Sequence, residues 1–179
     1  MAKIVKEVLI SRDEISSMVK ELGDKISKDY EGQNLLVICV LRGAFIFMAD
    51  LVRTITVPVK VDFMSVSSYG DDTVSSGVVR ILRDLDSDIT GKHVMIIEDI
   101  IDTGLTLKNL KDVLLTRHPA SLSICAAFDK PQRRIADIKA DYVGRAIPDE
   151  FIVGYGLDYA GEYRHLPDVC ILAEDGGEN

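Results

Sequence analysis

Val94–Leu107 reads VMIIEDIIDTGLTL. The opening VMII is an unbroken apolar run, which suits a strand covered by packing on both faces. Two acids, Glu98 and Asp99, close the run. Two more apolar residues follow, and Asp102-Thr103-Gly104-Leu105-Thr106 then opens a stretch in which Leu107, Leu110 and Leu114 fall at helical spacing. The string therefore predicts a strand, an acidic loop and a helix over about 105–117. Leu35–Val40 (LLVICV) and Leu122–Phe128 (LSICAAF) are runs of the same kind. Phe45–Arg53 reads as a helix, Val57–Ser67 and Val78–Leu82 as strands, and Tyr142–Val143 as the start of another. Buried strands alternating with helices predict an α/β fold with a mostly parallel central sheet flanked by helices.

The chemistry of the string follows from that fold. In open α/β sheets, ligands bind beyond the carboxyl ends of the strands. A helix N-terminus there offers unpaired amides and the positive end of a dipole. Gly104 lets the backbone approach a ligand closely, and the Thr103 and Thr106 hydroxyls add donors, so the turn is a phosphate cradle without a lysine. The two acids before it suit sugar hydroxyls and a magnesium ion, which takes oxygen ligands. Phosphate, diol and metal together describe a phosphorylated ribose. DTG alone would be only a helix cap; the whole string in its order is what points to a ligand.

Working outward, Ser11 and Glu14 form a capping box at the head of a helix over about 11–29, with Ile15, Met18, Val19, Leu22 and Ile26 as its inner stripe. Ser67–Gly77 (SSYGDDTVSSG) is a long polar segment without periodicity, the kind of loop that serves as a lid. The chain start and the stretch over about 147–172 lean to β structure and predict a small hood beside a core over about 35–145, the whole 1–179 forming one domain. Glu174–Asn179 is a polar tail. Phe45, Phe47 and Met48 suit either the core or a subunit interface, with the core the larger expectation.

Composition narrows the class. Of 179 residues, 21 are Lys or Arg and 29 Asp or Glu, a net charge of −8. The longest basic run is Arg133-Arg134 beside Lys130, which argues against nucleic acid or an anionic membrane as partner. Cys39, Cys125 and Cys170 are odd in number, far apart and set in apolar runs, as buried free thiols would be. No run approaches the ~20 apolar residues of a membrane span, and the start lacks a signal-peptide pattern, so the expected setting is the cytoplasm. Asp84, Asp86 and Asp88 begin like a calcium loop, but Ile89 and Met95 stand where Gly and Glu are needed. Gly154 and Gly156 lack the third glycine of a dinucleotide fingerprint, since Tyr159 takes its place. His93, His118 and His165 are scattered and predict no zinc site.

The strand–ED–x-x–DTGxT–helix string resembles the phosphoribosyl-diphosphate motif of type I phosphoribosyltransferases. Four further segments, Leu41-Arg42-Gly43, Ser67–Gly70, Phe128-Asp129-Lys130 and Pro148–Arg164, resemble in the same order the bacterial hypoxanthine (hypoxanthine–guanine) phosphoribosyltransferase family. The resemblance runs from about Leu35 to Leu172. It implies transfer of 5-phosphoribosyl from phosphoribosyl diphosphate to a purine, with Mg²⁺ as cofactor. Position by position, it implies Asp102 as general base at purine N7. Glu98 and Asp99 become the ribose- and metal-linked acids, and Asp102, Thr103, Gly104, Leu105 and Thr106 the 5′-phosphate loop. Arg42 and Gly43 match the diphosphate loop, with Arg42 where many relatives carry Lys and with a cis peptide implied at Leu41–Arg42. Ser68 and Tyr69 match a mobile loop that closes over the reacting centre, and Arg164 a diphosphate contact. Lys130 matches the donor to the purine 6-oxo group, Phe151 the ring stacked on the base, Ile152 a backbone contact to it, and Asp158 an acid near the purine and a second magnesium. It also implies a homodimer or homotetramer. Two alternatives stay open: a relative that prefers xanthine, and a regulator that senses phosphoribosyl diphosphate and binds nucleic acid. The second lacks a basic face here.

Overall fold

The computed structural model describes residues 3–68 and 79–174. In chain order these form β1 (Lys3–Ile10), α1 (Arg12–Asp29), β2 (Leu35–Leu41), α2 (Phe45–Val52), β3 (Val59–Ser68), β4 (Val79–Arg83), β5 (His93–Ile101), α3 (Leu105–Leu115), β6 (Ser121–Asp129), β7 (Tyr142–Ala146), β8 (Ile152–Val153) and β9 (Val169–Glu174). A short 3₁₀ turn, Pro131–Arg133, follows β6.

The apolar runs become the middle of a six-stranded sheet in the order β4-β3-β2-β5-β6-β7. All its pairings are parallel except β3 with β4. Alternation within each run explains why it is apolar throughout. Val37, Cys39, Met95, Ile97 and Cys125 point to the side covered by α1 and α2. Leu36, Ile38, Val40, Ile96 and Ile124 point to the side covered by Leu107, Leu110 and Leu114 of α3. Leu110 is fully buried, so Leu110→Ala would cost about 2–5 kcal/mol in lost burial and cavity. Phe47 and Met48 belong to the core, and Phe45 alone of that trio stays exposed.

The capping box at α1 forms in full: the Ser11 hydroxyl accepts from the Glu14 amide at 3.3 Å, and a Glu14 carboxylate oxygen accepts from the Ser11 amide at 2.9 Å. The hood is a separate antiparallel sheet, β1-β9-β8. Cys39, Cys125 and Cys170 are free and buried. Asp84 is held by Arg117 at 2.7 Å, and Asp86 faces Arg83 at 3.2 Å, so two of the three acids of the calcium-like run are ion-paired.

Two elements differ from expectation. β5 does not end at Glu98-Asp99 but runs on to Ile101, because Glu98, Ile100 and Ile101 keep their partners Ala126, Phe128 and Asp129 on β6. The acids are therefore strand residues held on a rigid sheet, not loop residues. β3 begins at Val59 rather than Val57. Tyr69 and the rest of the 69–78 segment lie outside the described residues, as does the tail from 175 on.

Candidate active site

Strand order places the site. From β2 the chain crosses to β3 on one side and later returns as β5 on the other. β2 and β5 therefore flank a topological switch point, where a crevice opens at the carboxyl ends of the strands. The crevice is present, a cleft of about 290 Å³ lined by Arg42, Gly43, Glu98, Asp99, Asp102, Thr103, Gly104 and Thr106. A larger cavity of about 600 Å³ lies between α1, α2 and the hood, and none of the expected site residues line it.

The β2 end of the cleft is built by close approach. The Leu41–Arg42 peptide is cis. A Cβ on Gly43 would sit 1.5 Å from an Asp99 carboxylate oxygen, so only glycine lets the turn after β2 meet the acid on β5. The opposite wall is the head of α3. Gly104 caps it with φ 78° and offers no side-chain cap of its own. The Leu105 amide donates to Thr103 Oγ1 at 3.5 Å, and the other first-turn amides have no acceptor within the helix.

Two acids of the cleft, Glu98 and Asp99, hold their protons more tightly than free carboxyls do. Burial pushes the Glu98 carboxyl well above the ordinary range, and the neighbouring Asp99 charge adds to it. Asp99 is raised to about 6, mainly by burial and further by Asp158. The Ile100 amide, its own amide and Arg164 pull the other way. Asp158 is engaged twice: Arg164 lies 2.7 Å away, and the Gly161 amide donates to it at 2.8 Å.

Behind the cleft, the segment after β6 clamps the turn before α3. Lys130 N donates to the Ile101 carbonyl at 2.9 Å, Arg134 to the Asp102 carbonyl at 2.6 Å, and the Ile135 amide to the Thr103 carbonyl at 2.9 Å. Arg134 is also ion-paired with Asp129. Lys130 is buried, and its ammonium donates to the Glu150 carbonyl at 2.6 Å. Phe151 is 46% exposed, too open for a core aromatic, and meets Tyr159 edge-on at 5.6 Å. Ile152 is buried in β8.

The chain has a full-length match to known proteins. The model of the phosphoribosyl transferase domain matches residues 11–160. The chain belongs to the phosphoribosyl transferase domain family. A hypoxanthine-guanine phosphoribosyltransferase of Streptococcus thermophilus is 51% identical over 175 residues, 98% of this chain and 97% of that protein. A hypoxanthine phosphoribosyltransferase of Haemophilus influenzae is 51% identical over 169 residues, 93% and 94% of the two chains. The crystal structure of a hypoxanthine phosphoribosyltransferase from Staphylococcus aureus superposes with a TM-score of 0.94 at 48% identity, covering 98% of this chain and 95% of that one.

Within this family member, the structure brings Arg42, Gly43, Glu98, Asp99, Asp102, Thr103, Gly104 and Thr106 to one cleft and sets Leu105, Lys130, Phe151, Ile152, Asp158 and Arg164 outside its lining. The two groups are joined by the hood. Arg164 donates to the Gly156 carbonyl at 2.6 Å, and Gly156 packs on the β2 turn so tightly that a Cβ there would lie 2.2 Å from the Gly43 carbonyl oxygen. Gly156 also has φ 98°, where other residues are strained. Next to it the buried Tyr155, at φ 51°, donates its hydroxyl to Asp50 of α2 at 2.9 Å. Gly156→Ala is therefore expected to lower the melting temperature by about 3–10 °C and to weaken binding of phosphoribosyl diphosphate at least about tenfold by displacing the Gly43 turn. Calorimetry of both quantities checks it.

Sequence reasoning missed the clamp. Arg133 and Arg134 entered only as a short basic run, yet Arg134 fixes the turn before α3 and Arg133 reaches the Asp102 carboxylate. Their signal was an arginine pair three and four residues after Lys130, which directly follows β6. Tyr155 and Asp50 carried no signal at all, because 105 residues separate them.

Proposed function

We propose that the chain is a purine-salvage phosphoribosyltransferase. It transfers 5-phosphoribosyl from phosphoribosyl diphosphate to N9 of hypoxanthine and guanine, giving IMP or GMP plus diphosphate. The observation that carries this reading is the cleft at the β2/β5 switch point. It sets the half-buried Glu98–Asp99 pair, a further aspartate and the head of α3 opposite the Arg42-Gly43 turn. The relatives named above support the choice of purine. The chain acts as one domain, with a core over about 35–145 and a hood from the chain start and about 147–172. A cytoplasmic dimer or tetramer is part of the same reading.

The roles follow from position. The α3 amides, with Thr103, Gly104, Leu105 and Thr106, hold the 5′-phosphate, and Glu98 and Asp99 take the ribose hydroxyls. Arg42, Gly43, Ser68, Tyr69 and Arg164 are assigned to the diphosphate. Phe151 offers an exposed face for stacking the base, and the Ile152 backbone adds hydrogen bonds. The Lys130 ammonium donates to the 6-oxo group, which selects against the amino group of adenine. As N9 bonds to C1′, the C1′–O bond to diphosphate breaks and its electron pair leaves with the diphosphate. Asp102 accepts the N7 proton, and its charge stabilises the cationic sugar.

The donor set suits magnesium. Among the described residues no group of three or more His, Cys, Asp and Glu is arranged to hold a metal alone. Magnesium commonly uses one or two carboxylates plus substrate phosphates, and Glu98 with Asp99 supplies those. Asp158, already committed to Arg164 and Gly161, would supply a further acid beside the ion. When bound, the ion neutralises the acids and polarises the leaving diphosphate. A proton and the ion compete for Asp99. Its raised affinity for the proton favours the folded chain below the ordinary carboxylate range, and that contribution is lost as pH rises through about 6. Above that pH the Asp99 carboxylate would be available to hold the ion. Millimolar magnesium is expected to raise the melting temperature above about pH 7 and to have no effect at about pH 5. A shift of equal size at both pH values would remove Asp99 from the metal site.

The function itself is tested by incubating the chain with phosphoribosyl diphosphate, magnesium and one purine at a time, and resolving products by chromatography. IMP and GMP are expected and AMP is not. Tight phosphoribosyl-diphosphate binding without any nucleotide product would favour the regulator reading.

A further inference from the structure

The proposed base faces a cation that the roles above leave unused. Arg133 Nε donates to Asp102 Oδ1 at 2.6 Å, and Arg133 Nη1 lies 3.6 Å from Asp149 Oδ2. The other oxygen of Asp149 lies 3.9 Å from Lys130 Nζ. One run of alternating charge, Asp102–Arg133–Asp149–Lys130, therefore joins the acceptor assigned to N7 to the donor assigned to the 6-oxo group. The main chain of Asp102 is held separately, through its carbonyl, by Arg134. Arg134 thus fixes where Asp102 stands, and Arg133 fixes where its carboxylate points.

Stability does not account for the Arg133 contact. The two side chains are 46% and 45% exposed, and ion pairs this open to water contribute little to folding. Orientation does account for it. A carboxylate free to rotate spends much of its time out of line with a proton it must accept, and misplacement by about 1 Å can cost about 10²-fold in rate. With Oδ1 occupied by the Arg133 guanidinium, Oδ2 is left for the substrate.

We propose, on the reading of the site given above, that Arg133 is a positioning residue for phosphoribosyl transfer. It holds Oδ1 of Asp102 so that Oδ2 accepts the N7 proton, and through Asp149 it sets Lys130 at a fixed distance from that acceptor. Arg133 acts through Asp102 and needs no contact with the purine.

Steady-state kinetics of the wild-type chain, Arg133→Gln, Arg133→Lys, Asp102→Asn and the Arg133→Gln/Asp102→Asn double variant test this. Arg133→Gln is expected to lower kcat for hypoxanthine about tenfold. KM for phosphoribosyl diphosphate should stay within about twofold and the melting temperature within about 2 °C. Arg133→Lys should recover part of kcat, since an ammonium still reaches one carboxylate oxygen. In the Asp102→Asn background Arg133→Gln should cost nothing further, because no base remains to be aimed. An unchanged kcat in Arg133→Gln overturns the proposal, as does an equal loss in both backgrounds. A kcat loss that follows a large fall in melting temperature and is not recovered by Lys also overturns it. A wild-type chain without turnover overturns the function reading and this proposal with it, whereas an active wild type with unaltered variants overturns this proposal alone.

Discussion

Asp102→Asn is expected to lower kcat with hypoxanthine by about 10²–10⁴-fold, the usual worth of a positioned general base. The amide keeps an oxygen to accept from Arg133 Nε, so the packing around position 102 survives. It cannot take up the N7 proton, and it brings no negative charge to the sugar. The Asp102 side chain is 45% exposed and its carbonyl is held by Arg134, so melting should change little. Because the cleft's phosphate contacts come from the head of α3 and from the β2 turn, binding of phosphoribosyl diphosphate should stay within a few-fold of wild type. Stopped-flow kinetics with a separate calorimetric Kd divides the two quantities. A large loss of affinity with kcat intact would make Asp102 a binding residue instead.

Chelation of divalent cations is expected to abolish turnover, with full recovery on adding magnesium. The argument is one of charge. The chain carries −8 overall, and its cleft gathers Glu98, Asp99 and Asp102 against a substrate bearing several negative charges of its own. Among the described residues, Arg42 is the one Lys or Arg that lines that cleft. The half-buried Glu98 and Asp99 already resist ionisation without help. Bound magnesium would supply the missing positive charge on both acids and leaving group. Turnover in excess chelator at the magnesium-supplemented rate would contradict this account.

Much of the fold was legible because its signals are local. LLVICV and VMII are apolar at every position, and only a strand packed on both faces needs that. The Ser11–Glu14 box and the Leu107/Leu110/Leu114 stripe are set by spacing within one helix, and both formed where the sequence placed them. The switch point followed once strands and helices alternated. What sequence could not supply was pairing over distance. β5 was read as too short because two acids look like a strand end; its partner β6 keeps them in register. The Arg133 and Arg134 contacts need the 130–136 segment folded back on the turn before α3. The Tyr155–Asp50 bond needs the hood docked on α2. Glycine presented a related difficulty. Gly43 entered only as part of the diphosphate loop and Gly156 only within an incomplete glycine fingerprint and the late Pro148–Arg164 segment, whereas their role is to let Asp99 and the Gly43 carbonyl come close enough to share one site.

Purine-dependent release of diphosphate by the wild-type chain tests the central claim most directly. With phosphoribosyl diphosphate and magnesium present, release should be negligible without a base, rise steeply on adding hypoxanthine or guanine, and match the nucleotide formed one for one. Release that ignores the purine, or none with any purine despite saturating phosphoribosyl diphosphate, would contradict it.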